Sequence, residues 1–224
     1  MILRGLLLVW IAACIVLAFL WAPLVPVLED TTRVLYFHIP SAWVTVLALG
    51  WSMGASLLYL RTRRIELDDH AASAAELGLL FCIAATISGA FWAKAMWGAY
   101  WNWDPRETSI FFLLLIYVAY LALRSAVDEP ARRARLAAIY SAIAFVSVPF
   151  LMFVVPRIYF SLHPDPLINT RGKVEMDPRI RVVFYGMLLG FTGLFFWLLR
   201  LRVRVLRVER ARAALAVVAE RALA

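Results

Sequence analysis

Three kinds of residue in this sequence could carry chemistry together: a dense run of indoles, two histidines on separate connections, and arginines close to both. The run reads Phe91-Trp92-Ala93-Lys94-Ala95-Met96-Trp97-Gly98-Ala99-Tyr100-Trp101-Asn102-Trp103-Asp104, which puts four of the nine tryptophans and one tyrosine within twelve residues. Tryptophan and tyrosine do collect at membrane–water boundaries as an aromatic belt. A belt, however, spreads its rings over all the helix ends of a bundle. Concentration in one connection points instead to a flat apolar platform for a large planar ligand. Trp97 and Trp101, four apart, would share a face if the stretch were helical.

His38 lies in Arg33-Val34-Leu35-Tyr36-Phe37-His38-Ile39-Pro40 and His163 in Ser161-Leu162-His163-Pro164. Either alone reads as a solvated polar residue. Two of them flanking an aromatic platform read as a pair of ligands, because neutral imidazole is a common metal ligand. Two imidazoles suit the axial positions of a haem iron whose porphyrin fills the other four. A bare zinc or copper site would call for more protein donors. The third histidine, His70, follows Leu67-Asp68-Asp69 and reads as part of a helix entry. Haem also brings two propionates, and Arg33 and Arg106 could meet them through short guanidinium–carboxylate pairs. An ordinary loop or headgroup contact is the alternative for both arginines. Asp104-Pro105-Arg106-Glu107 reads as a helix start, with aspartate as N-cap, proline as the first helical residue and glutamate as the third.

The elements that must position these groups are membrane helices. The chain has 224 residues, 64% of them hydrophobic, and a mean hydropathy of +0.80. A small globule could not bury that much apolar surface. In lipid only helices and closed barrels satisfy their own backbone groups. A barrel needs alternating strands of about ten residues, whereas this sequence has uncharged runs of helix-spanning length, roughly 17–25 residues. The expected fold is therefore all-α: one domain over residues 1–224, with six transmembrane helices near 5–27, 41–60, 75–93, 108–123, 136–155 and 182–199. A basic tail, 200–224, continues the last helix toward anionic headgroups. The net charge of +8 comes from arginines in short blocks at the ends of apolar runs. That is membrane-orientation chemistry rather than a nucleic-acid surface.

Counting Lys and Arg on alternate connections gives fifteen on the side of both termini and eight on the other. The richer side marks the cytoplasm, so both termini are expected inside and the connections 28–40, 94–107 and 156–181 outside. Ile11-Ala12-Ala13-Cys14 looks like a lipoprotein cleavage site, but the apolar run continues to Leu28, so the segment reads as a retained helix. Cys14 and Cys82 lie in separate apolar runs with no C-x-x-C. Neither thiol–disulfide chemistry nor a covalently attached c-type haem is supported.

Trp97-Gly98-Ala99-Tyr100-Trp101-Asn102-Trp103-Asp104 resembles the W-G-x-x-W-x-W-D signature of the WWD-domain superfamily, the tryptophan-rich haem-handling proteins of cytochrome c maturation. Arg33 with His38-Ile39-Pro40-Ser41-Ala42-Trp43 resembles the first histidine region of the CcmC family, whose six-helix length also fits. Larger CcmF and CcsA-type relatives share the signature but have more helices. The resemblance, which covers essentially the whole chain, implies haem b held transiently and non-covalently at the outer face of the bacterial cytoplasmic membrane. It implies His38 and His163 as axial ligands, Trp97, Gly98, Trp101, Trp103 and Asp104 as the signature, and Arg33 and Arg106 as basic positions near the haem. It further implies delivery to the haem chaperone CcmE and association with the ABC-transporter subunits CcmA and CcmB and the small membrane protein CcmD. No residue is expected to be catalytic, since the covalent step would be completed in trans. The stretch Tyr100–Thr108 reads closer to the synthase-type loop than many CcmC loops do. Two rival readings remain. A haem lyase of the CcsA or CcmF type would bring further helices and histidines. A transporter permease would bring buried charges along its route, whereas the interiors of the runs here read as free of charge.

Overall fold

The computed structural model describes residues 2–26, 28–163 and 176–223. Six of its helices are long and apolar enough to cross a membrane, and the chain is an all-α, multi-pass membrane protein. In chain order the elements are α1 (Ile2–Leu20), a 3-10 turn (Asp30–Val34), α2 (Leu35–Thr62), α3 (Ile65–Trp97), α4 (Pro105–Ser125) and α5 (Pro130–Pro149). A π-helical turn (Phe150–Val154) then leads into the short α6 (Val155–Ile158), and α7 (Pro178–Leu223) closes the chain.

These boundaries depart from the sequence expectation in ways that matter for the site. Hydropathy finds only the lipid-matched centre of a helix, and most of these helices outrun it. α2 begins at Leu35 rather than Ser41, because the preceding 3-10 turn runs straight into it and Pro40 is accommodated near its start. His38 is thereby a helical residue and not part of a connection. α3 begins ten residues before Ala75 and ends at Trp97 rather than Ala93. It stops where Gly98 takes the left-handed conformation (φ 79°) and donates its N–H to the Lys94 carbonyl at 3.1 Å, the usual role of a glycine just past a helix end. α1 ends at Leu20, short of the expected residue 27, and α7 runs on through the basic tail as one helix.

α4 starts as its sequence dictates. The Asp104 carboxylate accepts from the Arg106 N–H at 2.9 Å, and the Glu107 carboxylate accepts from the N–H groups of Asn102 and Asp104 at 2.7 and 3.3 Å. This reciprocal capping box satisfies donors that the helix cannot. Pro149 lacks the N–H that would continue α5, and the chain there loosens into the π turn before α6 ends at Ile158.

α2 and α3 form the centre, with α5 and α7 packed on α2 and α4 against α3 and α5. The N-terminal half of α3 buries Ala71, Ala72, Ala74, Ala75 and Gly78. A Cβ on Gly78 would sit 2.6 Å from Leu49 Cδ2, so the small residues are what let the two helices close up, as membrane interfaces commonly require.

Charged pairs gather at or just beyond the ends of the expected apolar runs. α3 carries Asp68, Asp69 and Glu76, each paired with an arginine from another helix. Arg124 grips Asp68 through two bonds of 2.7 and 2.9 Å, Arg202 holds Glu76 at 2.6 Å, and Arg210 reaches Asp69. Leaving a buried carboxylate such as Asp68 or Asp69 without its partner would be costly. Pairing across helices offsets that cost and ties α4 and α7 to the end of α3 remote from the tryptophans.

Candidate haem-binding site

One face of α3 builds the wall of the site. Ala85, Gly89, Trp92, Ala93, Met96 and Trp97 recur at helical spacing, so they stack along a single stripe. A cavity of about 310 Å³ opens beside it, lined by Gly89, Trp92, Ala93, Met96 and Trp97 and closed by Leu28, His38, Leu162 and His163. The two histidines of interest therefore line the same cavity, although they are 125 residues apart in sequence.

His38 projects from the second turn of α2 onto α3. Its Nδ1 lies 2.9 Å from the Ala85 carbonyl oxygen and 3.2 Å from Ser88 Oγ. A carbonyl can only accept, so Nδ1 carries the hydrogen and Nε2 keeps its lone pair. The ring fits because residue 89 is glycine: a Cβ there would stand 2.8 Å from Cε1 and 3.3 Å from Nδ1. Trp92 meets the imidazole edge-on at 5.8 Å between centroids. Its indole N–H donates to Thr31 Oγ1 at 3.2 Å, which pins the 3-10 turn against α3 and closes that side of the cavity.

His163 is held by Asp104, the residue that also caps α4. The buried carboxylate accepts four times: from Arg106 N at 2.9 Å, Leu162 N at 2.7 Å, Ser161 Oγ at 3.0 Å and His163 Nδ1 at 3.0 Å. Burial alone would raise the Asp104 pKa, but these donors and the neighbouring imidazole outweigh it and hold the carboxyl below its ordinary value. It is thus an ionised, acceptor-only group, and His163 Nδ1 must be the donor. Burial pushes the His163 pKa below its usual value; Asp104 opposes this, and the Arg106 charge reinforces it. The contact is then a neutral imidazole donating to a carboxylate rather than an ion pair. Trp97 braces the ring from the side at 4.8 Å.

Both imidazoles consequently share one chemical state: Nδ1–H tied to an oxygen, with the Nε2 lone pair uncommitted. This is how proteins preset histidines that bind metals, the outer partner fixing tautomer and ring orientation. No group of three or more His, Cys, Asp or Glu that could hold a metal ion exists among the described residues. The donor set fits an iron that brings its own equatorial ligands.

The family model for CcmC, heme exporter protein C, matches residues 1–218 of the chain. The chain belongs to the CcmC family. It is 34% identical over 190 residues to heme exporter protein C of Bradyrhizobium diazoefficiens, covering 81% of this chain and 72% of the relative. Against the Paracoccus denitrificans protein of that name it is 31% identical over 219 residues, covering 94% and 90%. Against the Escherichia coli K12 protein of that name it is 31% identical over 192 residues, covering 82% and 74%.

Within this CcmC-family chain the residues singled out by sequence divide into two groups. His38, His163 and Trp97 line the cavity, and Asp104 stands directly behind His163. Gly98 acts at the α3 terminus, and Arg106 lies close enough for its charge to be felt at His163. Trp101 and Trp103 do not line the cavity. They meet each other edge-on at 5.7 Å and stack around Phe111 of α4, with Trp103 66% exposed. Arg33 is not at the cavity either. Its guanidinium donates to the carbonyls of Ala18 and Ala22 and lies 6.0 Å from the Phe19 ring, closing the C-terminal end of α1.

Gly89, Met96 and the Ala85 carbonyl were not anticipated, and Trp92, counted with the indole run, was not expected beside His38. Their signal was present as a stripe spaced by three and four that ends at Trp97. It is legible only once α3 is allowed to run four residues past its apolar core.

Proposed function

We propose that this protein binds haem b, transiently and without a covalent link, between His38 and His163, and passes it to a haem chaperone of the CcmE type during cytochrome c maturation. The observation that carries the reading is that two imidazoles from distant segments line one cavity with both Nε2 lone pairs uncommitted. Trp92 and Trp97 offer indole surface inside the cavity. Trp101 and Trp103 lie outside the cavity, where they pack with each other and with Phe111. The cavity volume supports the reading, because about 310 Å³ sits at the lower bound for small-molecule sites, ~300–1,000 Å³. A porphyrin seated there would leave an edge projecting, which suits a cargo that must be handed on. Arg106 is the better placed of the two arginines for a propionate, since its charge is felt at His163, which lines the cavity, whereas Arg33 is not at the cavity.

The distribution of Lys and Arg puts this end of the bundle on the periplasmic side of the bacterial cytoplasmic membrane, with both termini inside. The whole chain acts as one domain and is a delivery component rather than an enzyme: it positions haem while a partner supplies the nucleophile. CcmA, CcmB and CcmD are the partners that the family membership suggests.

The test is an absorption spectrum of the detergent-purified protein loaded with haem. A low-spin bis-imidazole spectrum is expected, and His38→Ala and His163→Ala should each shift it and reduce haem retention. If neither substitution changes the spectrum, the axial assignment is wrong.

A further inference from the structure

A second concavity lies far from the histidines, between α1 and α7. It has a volume of about 540 Å³ and combines a basic mouth with an apolar trough. Arg4 of α1 and Arg200 and Arg204 of α7 form the mouth, while Leu6, Leu189 and Phe196 are among the side chains of the trough. Arg200 and Arg204 are four apart and share a helix face, where like charges repel. None of the three arginines has a carboxylate partner among the described residues, whereas Arg202 and Arg210 of the same helix are paired with Glu76 and Asp69. Arg4 instead lies 5.9 Å over the Trp197 ring. The Trp197 indole N–H is buried without an acceptor, although Trp197 lines this groove. The groove therefore gathers three cations without a carboxylate partner among the described residues beside an apolar floor.

We propose that this groove binds an anionic glycerophospholipid, with its phosphate among Arg4, Arg200 and Arg204 and one acyl chain along the trough. The shape of the lining selects the lipid over a free anion. Leu189 and Gly193 lie about two to four turns from the arginines along α7, well inside its membrane-spanning part, where a small hydrated phosphate has nothing to bind. A zwitterionic lipid would bring its own cation into a cluster of three. Gly193 shapes the trough floor: a Cβ there would stand 2.8 Å from Leu7 Cδ1, so its absence keeps α1 seated on α7 below the mouth. The lipid would then complete the contact between α1 and α7, which is independent of the histidine cavity.

The experiment is native mass spectrometry of the full chain in detergent, with phosphatidylglycerol, chain-matched phosphatidylcholine and inorganic phosphate as separate probes. Phosphatidylglycerol should remain bound under activation that strips phosphatidylcholine. The triple variant Arg4→Gln, Arg200→Gln, Arg204→Gln should lower that preference by about a hundredfold, roughly fivefold for each guanidinium removed. Arg61→Gln, Arg63→Gln, Arg64→Gln at the α2–α3 turn should leave it unchanged. The single variant Arg200→Gln should lower the preference by about fivefold, which covers the case of a poorly folded triple variant. Equal retention of the two lipids, equal loss in both triple variants, competition by millimolar phosphate alone, or a co-purifying membrane polypeptide in place of lipid would each overturn the proposal. Haem retention should be the same in all these variants.

Discussion

Replacing Gly89 with alanine sets two physical effects against each other. In a helix interior alanine is favoured over glycine by about 0.5–1 kcal/mol, so α3 alone would gain. The cavity would lose. The new Cβ would lie 2.8 Å from His38 Cε1, 3.3 Å from Nδ1 and 3.8 Å from Nε2. Carbon atoms rest at roughly 3.5–4.0 Å, so the imidazole must give by about 0.7 Å or more. Its Nδ1 bond to the Ala85 carbonyl is 2.9 Å long, and a displacement of that size stretches or skews it beyond hydrogen-bond geometry. Losing such a bond costs about 0.5–1.5 kcal/mol, and forcing atoms into a packed site costs about 1–3 kcal/mol. The clash therefore outweighs the helix gain. Loss of the partner that orients a ligating histidine lowers metal affinity by about 10–100-fold. Haem titration of the purified apo-protein should show a drop of that order with a perturbed low-spin spectrum, while Gly54→Ala, whose Cβ meets nothing within 4 Å, should bind as the parent does. Parent-like affinity and spectrum in Gly89→Ala would refute the fixed His38 pose on which the reasoning depends.

Other outcomes follow from the same geometry. Asp104→Asn keeps a good N-cap for α4 but presents an amide to donors that need a carboxylate; haem affinity should fall about 10–100-fold with little change in helix content by circular dichroism. Trp97→Ala removes the ring beside His163 and should lower haem occupancy more than Trp101→Ala, whose ring packs with Trp103 and Phe111; the comparison is made by haem-to-protein ratio after purification. Arg124→Ala strands the buried Asp68 carboxylate and should destabilise the fold by about 3–5 kcal/mol, read as a lower unfolding temperature, while the haem spectrum of the folded fraction stays unchanged. Arg33→Gln should loosen the α1 terminus without altering the axial spectrum, because its contacts are carbonyls of α1 rather than the cavity.

The sequence by itself determined the membrane class, the number of spans and the capping of α4, because each depends on local quantities: hydropathy over a window, and residue identity at Asp104, Pro105 and Glu107. It also pointed to His38 and His163, since rare ligating residues beside a tryptophan cluster stand out by type alone. Helix ends were another matter. Hydropathy registers where lipid begins, whereas α3 ends where Gly98 can turn left-handed, and that difference left Met96 and Trp97 off the helical stripe that Gly89 and Trp92 begin. The roles of the remaining groups were decided only by tertiary structure. Asp104 meets His163 because the segment after α6 folds back over the start of α4, and Arg33 turns to α1 because its carbonyls lie within reach. Trp101 and Trp103 turn away from the cavity because Phe111 offers them a partner. These are contacts between residues 8 to 59 positions apart in sequence, and no rule of spacing along a chain encodes which of several nearby partners a side chain will choose.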